Sequence, residues 1–143
     1  MTQEQSSLPT PHSHAAATVL VVDDEVLLRL SIADRLREEG FAVIEAANAN
    51  EAIAILKAAM VIDVVLTDVT MPGSMDGVGL ARFVESQRPD IKVILTSGIL
   101  VAAPAQCRLD GFFLKPYDPA SIVRLIRALL KDGGLSDRFR DER

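Results

Sequence analysis

The chain has one cysteine, one tyrosine and no tryptophan. A lone thiol, Cys107, excludes an internal disulfide and fits a reducing compartment. No histidine or second cysteine stands near it, so it carries neither a metal-ligand nor a nucleophile pattern. With aromatics at 4%, the core must be aliphatic. Basic charge is also short. The net charge of −5 excludes the clustered lysine and arginine that a direct nucleic-acid surface needs. Arg29, Arg35 and Arg37 alternate with Asp34, Glu38 and Glu39 and read as a solvated helix face. No apolar run approaches the roughly 20 residues of a membrane span. The N-terminus lacks the basic start and apolar middle of a signal peptide. The expected compartment is the cytoplasm, with no membrane partner.

What is present is an ordinary globular balance, 49% apolar and 24% charged over 143 residues. One domain of this size buries roughly 68–70% of its unfolded surface and needs no staple. Residues 1–17 show no periodicity and are expected to be a disordered leader, with His12 and His14 in a solvated tail. Residues 18–131 are expected to form the domain, and 132–143 a short polar tail.

Within the domain, short apolar runs alternate with helical patterns. Val19 to Val22 predicts the first strand. Leu28, Ile32 and Leu36 predict a helix over about 25–39, stopped by Gly40. Phe41 to Glu45 reads as a strand. Asn48 with Glu51 three residues on is a capping-box-like start to a helix with an inner stripe of Ala52, Ile55, Leu56 and Ala59. Ile62 to Thr67 is the third strand, Asp76 to Gln87 the third helix and Ile91 to Leu95 the fourth strand. A short helix is predicted over 99–109, although Pro104 sits in its middle. Gly111 to Leu114 is the fifth strand. Asp118-Pro119 starts a last helix with Ile122, Leu125, Ile126 and Leu129 inward, ended by Gly133-Gly134. Five strand–helix alternations imply an α/β fold, a five-stranded parallel sheet with helices on both faces. The strands are nearly all apolar, as strands covered on both sides must be.

The chemistry-bearing residues stand where these strands finish. Asp23, Asp24 and Glu25 end the first, Asp68 the third, Thr96 the fourth and Lys115 the fifth. Open α/β sheets bind ligands beyond the carboxyl ends of their strands. If the first and third strands are neighbours, Asp23, Asp24 and Asp68 converge in one cleft. Converging carboxylates raise each other's pKa, and a divalent cation removes that penalty. Oxygen-only ligands indicate a hard ion, with Mg²⁺ expected because it takes few carboxylates and shares its sphere with phosphate. Asp68 can then attack phosphorus and become an acyl phosphate. The metal and Lys115 would neutralise the transferring oxygens, and the Thr96 hydroxyl would donate to another. Ser97 and Gly98 are small enough to leave room.

These pieces resemble the receiver domain of response regulators, the CheY-like family of two-component signalling. The resemblance runs over about residues 18–131. It rests on Val21-Val22-Asp23-Asp24-Glu25, Asp68-Val69-Thr70-Met71-Pro72-Gly73, Asp76-Gly77, Ile94-Leu95-Thr96-Ser97-Gly98 and Phe113-Leu114-Lys115-Pro116-Tyr117. It implies the strand order 2-1-3-4-5. It implies that Asp68 accepts a phosphoryl group from a histidine kinase or phosphotransfer protein. It implies Mg²⁺ on Asp23, Asp24, Asp68 and the Thr70 carbonyl, with Asp24 the more direct ligand of the first pair. Thr96 becomes the switch hydroxyl, Lys115 the phosphate-gripping lysine and Phe112 the switch aromatic. The Lys115–Pro116 bond is expected cis.

Three features depart from the usual pattern. The loop from Asp68 to Asp76 carries Gly73-Ser74-Met75, one residue longer than the commonest form. The interval from Thr96 to Lys115 is short for a helix plus a strand. Phe112 lacks a hydroxyl. With few residues after the receiver-like region, the expectation is a stand-alone type that switches an unknown downstream protein or serves as a phosphate relay or sink. The expected chemistry is limited to the domain's own phosphorylation and dephosphorylation. An Mg²⁺-dependent phosphatase using an aspartyl phosphate is the enzymatic alternative, but it normally places a second acid where Thr70 stands. A pseudo-receiver is opposed by the full acidic and lysine set. A flavodoxin-like binder is opposed by the lack of a Ser/Thr/Gly-rich phosphate loop.

Overall fold

The computed structural model describes residues 16–58, 61–99 and 102–142, with side chains through Lys131. Most of the expected leader, His12 and His14 included, lies outside the described residues, as does Ala59. Five strands form one parallel sheet: β1 (Thr18–Val22), β2 (Ala42–Ala46), β3 (Val64–Asp68), β4 (Lys92–Ser97) and β5 (Gly111–Leu114), in the order β2-β1-β3-β4-β5. Among the described residues, four helices accompany them: α1 (Val26–Glu38), α2 (Ala49–Lys57), α3 (Gly77–Gln87) and α4 (Pro119–Glu142). The expected fold class and strand order are observed.

Alternation along the strands divides the core in two. Leu20, Val22, Val65 and Val93 pack with Ala52, Leu56, Leu80 and Val84 of α2 and α3. Val19, Val21, Val64, Leu66 and Ile94 pack with Ile32, Leu36, Ile122 and Ile126 of α1 and α4. Full burial of each such aliphatic side chain is worth roughly 1.5–3 kcal/mol. The two layers are mainly aliphatic, with partly buried Phe83 on one and Phe41, Phe113 and Tyr117 on the other.

The helix ends follow local chemistry. Gly40 has φ +99°, the Gly40 N–H donates to Arg37 O at 3.0 Å, and the Phe41 N–H donates to Leu36 O at 3.1 Å. That is a Schellman stop, and the left-handed residue favours glycine. Asn48 Oδ1 accepts from the Glu51 N–H at 2.9 Å, while Glu51 Oε1 accepts from the Ala47 N–H, one residue ahead of the cap, at 2.8 Å. Asp118 Oδ1 accepts from the Ala120 N–H at 3.0 Å and starts α4.

Two sequence expectations fail. No helix forms over 99–109 among the described residues. Pro104 removes a helical donor, and the segment satisfies its backbone otherwise. The Ile99 N–H bonds Ser97 Oγ at 3.0 Å, the Arg108 N–H bonds Glu85 Oε1 at 3.1 Å, and the Arg108 guanidinium caps Ile91 O at 3.2 Å. The last helix does not stop at Gly133-Gly134 but continues through them to Glu142. Glycine costs a helix interior only about 1 kcal/mol against alanine, so a pair weakens a helix without having to end it. The inner face of α4 also differs slightly: Val123 is buried, while Leu125 and Leu129 are only partly so.

Candidate phosphoacceptor site

The buried polar residues of the described chain are Asp23, Thr67, Asp68, Thr96 and Ser97. All five stand at or just beyond the carboxyl ends of the three central strands. Burying them in an aliphatic sheet costs energy unless they are paired, so their concentration marks a site.

Strand register explains why they meet. Asp68 is the partner of Thr96, and Thr96 of Phe113. Leu66, two residues before Asp68, and Ile94, two before Thr96, both face the α1–α4 core, as does Phe113 itself. With a side-chain period of two, Asp68 and Thr96 therefore project on that same face. Asp23 stands two residues after Val21, which shares the face, and Lys115 two after Phe113. Phe112 pairs with Leu95 and so projects on the opposite face from Thr96. It is half-buried and belongs to neither core layer.

Lys115 ties the row together. Its Nζ lies 3.3 Å from Asp23 Oδ2, 3.0 Å from Glu25 Oε1 and 3.2 Å from Asp68 Oδ2. The side chains of Asp23 and Asp68 are each 7% exposed, whereas that of Glu25 is 61% exposed. Burial lowers the lysine's proton affinity, but Glu25, Asp23 and Asp68 outweigh it and hold the ammonium well above its ordinary pKa. Burial pushes Asp68 above the usual carboxylate range, with Asp23 adding to it. Lys115 and a hydrogen bond from the Thr70 backbone oppose the rise without cancelling it. The Lys115–Pro116 peptide bond is cis, as the resemblance implied.

The acidic turn is braced from below. Asp23 Oδ1 accepts from the Glu25 N–H at 2.9 Å. Arg29, one turn into α1, donates from Nη1 to Asp23 O at 2.8 Å and from Nε to Glu45 Oε1 of β2 at 3.0 Å. On the other side, the Val69 N–H donates to Thr96 O and the Gly77 N–H to Val69 O, at 2.9 and 2.8 Å, which fixes the backbone just after Asp68. Gly73, with φ +104°, supplies the left-handed turn in the following loop.

Asp24, Glu25, Asp68, Thr70, Gly98 and Lys115 line a cleft of about 530 Å³, together with Met71, Pro72 and Ile99. Asp24, the expected direct metal ligand, lines the cleft but stays outside the tight acid cluster. That cluster is Asp23, Glu25 and Asp68, whose carboxylate oxygens all lie within 4.8 Å of one another. Its donors are oxygen only and largely buried, which suits a hard cation such as Mg²⁺. Thr96 lies beside Asp68 as expected. Sequence reasoning assigned no site role to Glu25 or Tyr117, and it placed Arg29 on a solvated helix face, whereas the Arg29 side chain is largely buried and bonds Asp23 O and Glu45. Burial, and after it the charge of Asp23, pushes the hydroxyl of Tyr117, the one tyrosine of the chain, up to about 12. Burial and Glu85 push the Cys107 thiol up, the reverse of what a thiolate nucleophile requires.

Comparison with known proteins agrees with this geometry. Residues 19–127 match the response regulator receiver domain family. The sensor kinase CckA of Brucella abortus is 35% identical over 122 residues, covering 81% of this chain and 13% of CckA. The transcriptional regulatory protein ResD of Bacillus subtilis is 32% identical over 124 residues, covering 85% of this chain and 51% of ResD. The chain thus spans about half the length of ResD and a small part of CckA. A CheY-like receiver domain protein from Methanospirillum hungatei superposes with a TM-score of 0.76 at 25% identity, covering 85% of this chain and 99% of that one. The response regulator TrrA of Thermotoga maritima, solved in complex with Mg²⁺ and BeF, gives 0.72 at 26% identity, covering 79% of this chain and 98% of that one.

The chain belongs to the response regulator receiver domain family and is a phosphoacceptor signalling module of two-component systems. Among its described residues no helix is long and apolar enough to cross a membrane.

Proposed function

We propose that Asp68 is the phosphoacceptor. The observation that carries this is the ammonium of Lys115 set between Asp23 and Asp68 at 3.3 and 3.2 Å, beyond the strand ends in an open cleft. In the transfer, a carboxylate oxygen of Asp68 bonds to phosphorus while the bond from phosphorus to the donor's leaving group breaks, and the electron pair departs with that group. Lys115 offsets charge on the phosphoryl oxygens, and the Thr96 hydroxyl donates to one of them. Mg²⁺ would be held by Asp23 and Asp68, with Asp24 and the Thr70 carbonyl completing the set. When bound, it supplies charge neutralisation at the acceptor and the incoming phosphoryl group.

The donor is a histidine kinase or phosphotransfer protein, and the output is altered binding of a downstream protein. Thr96 and Phe112 form the switch. Because they project on opposite faces of the sheet, their coupling runs through the paired backbones of β4 and β5 rather than through shared side-chain space. Catalysis is confined to the domain's own phosphorylation and dephosphorylation, in the cytoplasm. A phosphatase is not favoured, because Thr70 occupies the place of its second acid.

The test is intact mass after incubation with acetyl phosphate and Mg²⁺. Wild type should gain one phosphoryl group and Asp68→Asn none. Equal labelling of the two proteins removes Asp68 from the role.

A further inference from the structure

We infer that Glu25 is a positioning residue that restrains Lys115 until a phosphoryl group arrives, an inference that rests on the phosphoacceptor reading of Asp68. An ammonium has three donors and no acceptor. Lys115 meets three carboxylates, on Asp23, Glu25 and Asp68, at 3.3, 3.0 and 3.2 Å. Nζ donates hydrogen bonds to Asp23 and Glu25 and forms an ion pair with Asp68, so an entering phosphoryl oxygen must compete with these three carboxylates for it.

Exposure decides which contact yields. Freeing Asp23 or Asp68 would leave a carboxylate that is 7% exposed without its counter-charge, which is costly. The Glu25 carboxylate is 61% exposed, so water replaces the lysine at little cost. The backbone of Glu25 stays where it is. Its N–H is held by Asp23 Oδ1 at 2.9 Å, and its carbonyl by the Arg29 N–H at 2.9 Å. Only the side chain has to move. Glu25 is also the N-cap residue of α1 but makes no side-chain capping bond, so the helix does not depend on its carboxylate. The shortest contact in the cluster is thus the one that can be surrendered without disturbing the fold. Glu25 holds the lysine in place in the unphosphorylated cleft and competes with the entering group for one of its donors.

Two variants test this. Glu25→Ala removes the contact and the charge. Glu25→Asp keeps the charge but shortens the reach. Phosphorylation of Asp68 by acetyl phosphate would be followed by intact mass at saturating Mg²⁺. Transfer forms the bond from Asp68 oxygen to phosphorus, breaks the bond from phosphorus to the acetyl oxygen and releases acetate with the electron pair. Both variants should be labelled about three- to five-fold faster than wild type, the scale of losing one exposed charge-assisted contact. In the metal-free proteins, nitrogen-15 NMR of the Lys115 ammonium should show faster proton exchange with water in both variants. Melting temperatures should stay within about 2 °C of wild type, since exposed pairs contribute little to stability.

If Glu25→Asp behaves as wild type while Glu25→Ala is faster, charge rather than contact is responsible and the inference is overturned. Unchanged rates in both variants, or an unchanged Lys115 ammonium, also overturn it. Those failures leave wild type labelled on Asp68. Absence of labelling in wild type would instead remove the phosphoacceptor reading, and this inference with it.

Discussion

Gly77 rests directly on the backbone of Asp68. A Cβ at position 77 would collide with the Asp68 carbonyl oxygen and stand 2.8 Å from both the carbonyl carbon of Asp68 and the Cα of Val69. The first turn of α3 is seated against the peptide of the phosphoacceptor candidate because residue 77 has no side chain.

Gly77→Ala should therefore be destabilising by about 1–3 kcal/mol, the usual cost of overpacking where backbone cannot give way. Gly79→Ala is the control. Its Cβ would meet the flexible Met75 side chain, 2.7 Å from Cγ, and alanine is the better helix former. Urea melts of the two variants should separate them, with Gly79→Ala within about 1 kcal/mol of wild type. Equal losses would mean that the α3–Asp68 contact is not tight. Gly77→Ala should also slow phosphorylation by displacing the Asp68 backbone.

Asp68 contributes to the pH dependence of the metal-free protein in the acid range. Burial raises its pKa in the fold, so its favourable contribution is fully present below the ordinary carboxylate pKa and lost as pH rises through the raised value. At neutral pH the ionised group is a net cost. Without metal, Asp68→Asn should melt roughly 2–6 °C above wild type at pH 7, with the gap closing as pH falls through the carboxylate range. Saturating Mg²⁺ should reverse the order, because only wild type offers the full acid set and ligand binding stabilises by mass action. A variant that melts below wild type at pH 7 without metal would show that the Lys115 contact outweighs desolvation.

Tyr117 offers an optical titration. It is the one tyrosine, and there is no tryptophan. Its ionisation is pushed up to about 12 by burial and by Asp23. The sign is that of a raised acid: the contribution is intact below an ordinary tyrosine pKa of about 10 and is lost as pH rises toward about 12. Ultraviolet difference absorbance should show no phenolate near pH 10 in the folded protein. Wild type should lose stability relative to Tyr117→Phe between those two values. A midpoint near 10 before unfolding would place Tyr117 in solvent.

The segment after Ser97 should exchange its amide protons quickly. Residues 102–109 form no helix, and the Arg108 N–H bonds a side chain, Glu85 Oε1, rather than backbone. Local stability follows such features. Hydrogen exchange should be fast there and slow in β4. Adding Mg²⁺ and beryllofluoride should change protection over 96–117 far more than over 48–57. The reverse pattern would place the output on α2.

Much of this was legible in the sequence. Asp68, Thr96 and Lys115 follow apolar runs, and an open parallel sheet leaves such residues little choice but to gather at one edge. Gly40, Asn48 and Asp118 announced their caps because capping is local. What was not legible depended on rotation and reach. Whether Asp24 or Glu25 turns toward Lys115 is set by the turn after β1, which Arg29 and the Asp23 carboxylate define through bonds invisible to periodicity. Gly133-Gly134 looked like a stop, yet a helix ends at glycine only where a left-handed capping turn forms, as at Gly40. The helix expected over 99–109 followed the strand–helix rhythm, and Pro104 prevailed over the rhythm.

The contact between Lys115 and Asp23 spans 92 positions of sequence. Its consequence concerns biosynthesis. The acidic turn and the acceptor strand leave the ribosome well before the lysine does, and β5 is an edge strand that docks only on β4. Long-range parallel pairing is slow to form, because chain entropy is lost before contacts repay it. A nascent chain therefore carries its carboxylates without their counter-charge until the last strand docks. On the proposed role of Asp68, competence for phosphorylation would arrive together with completion of the sheet.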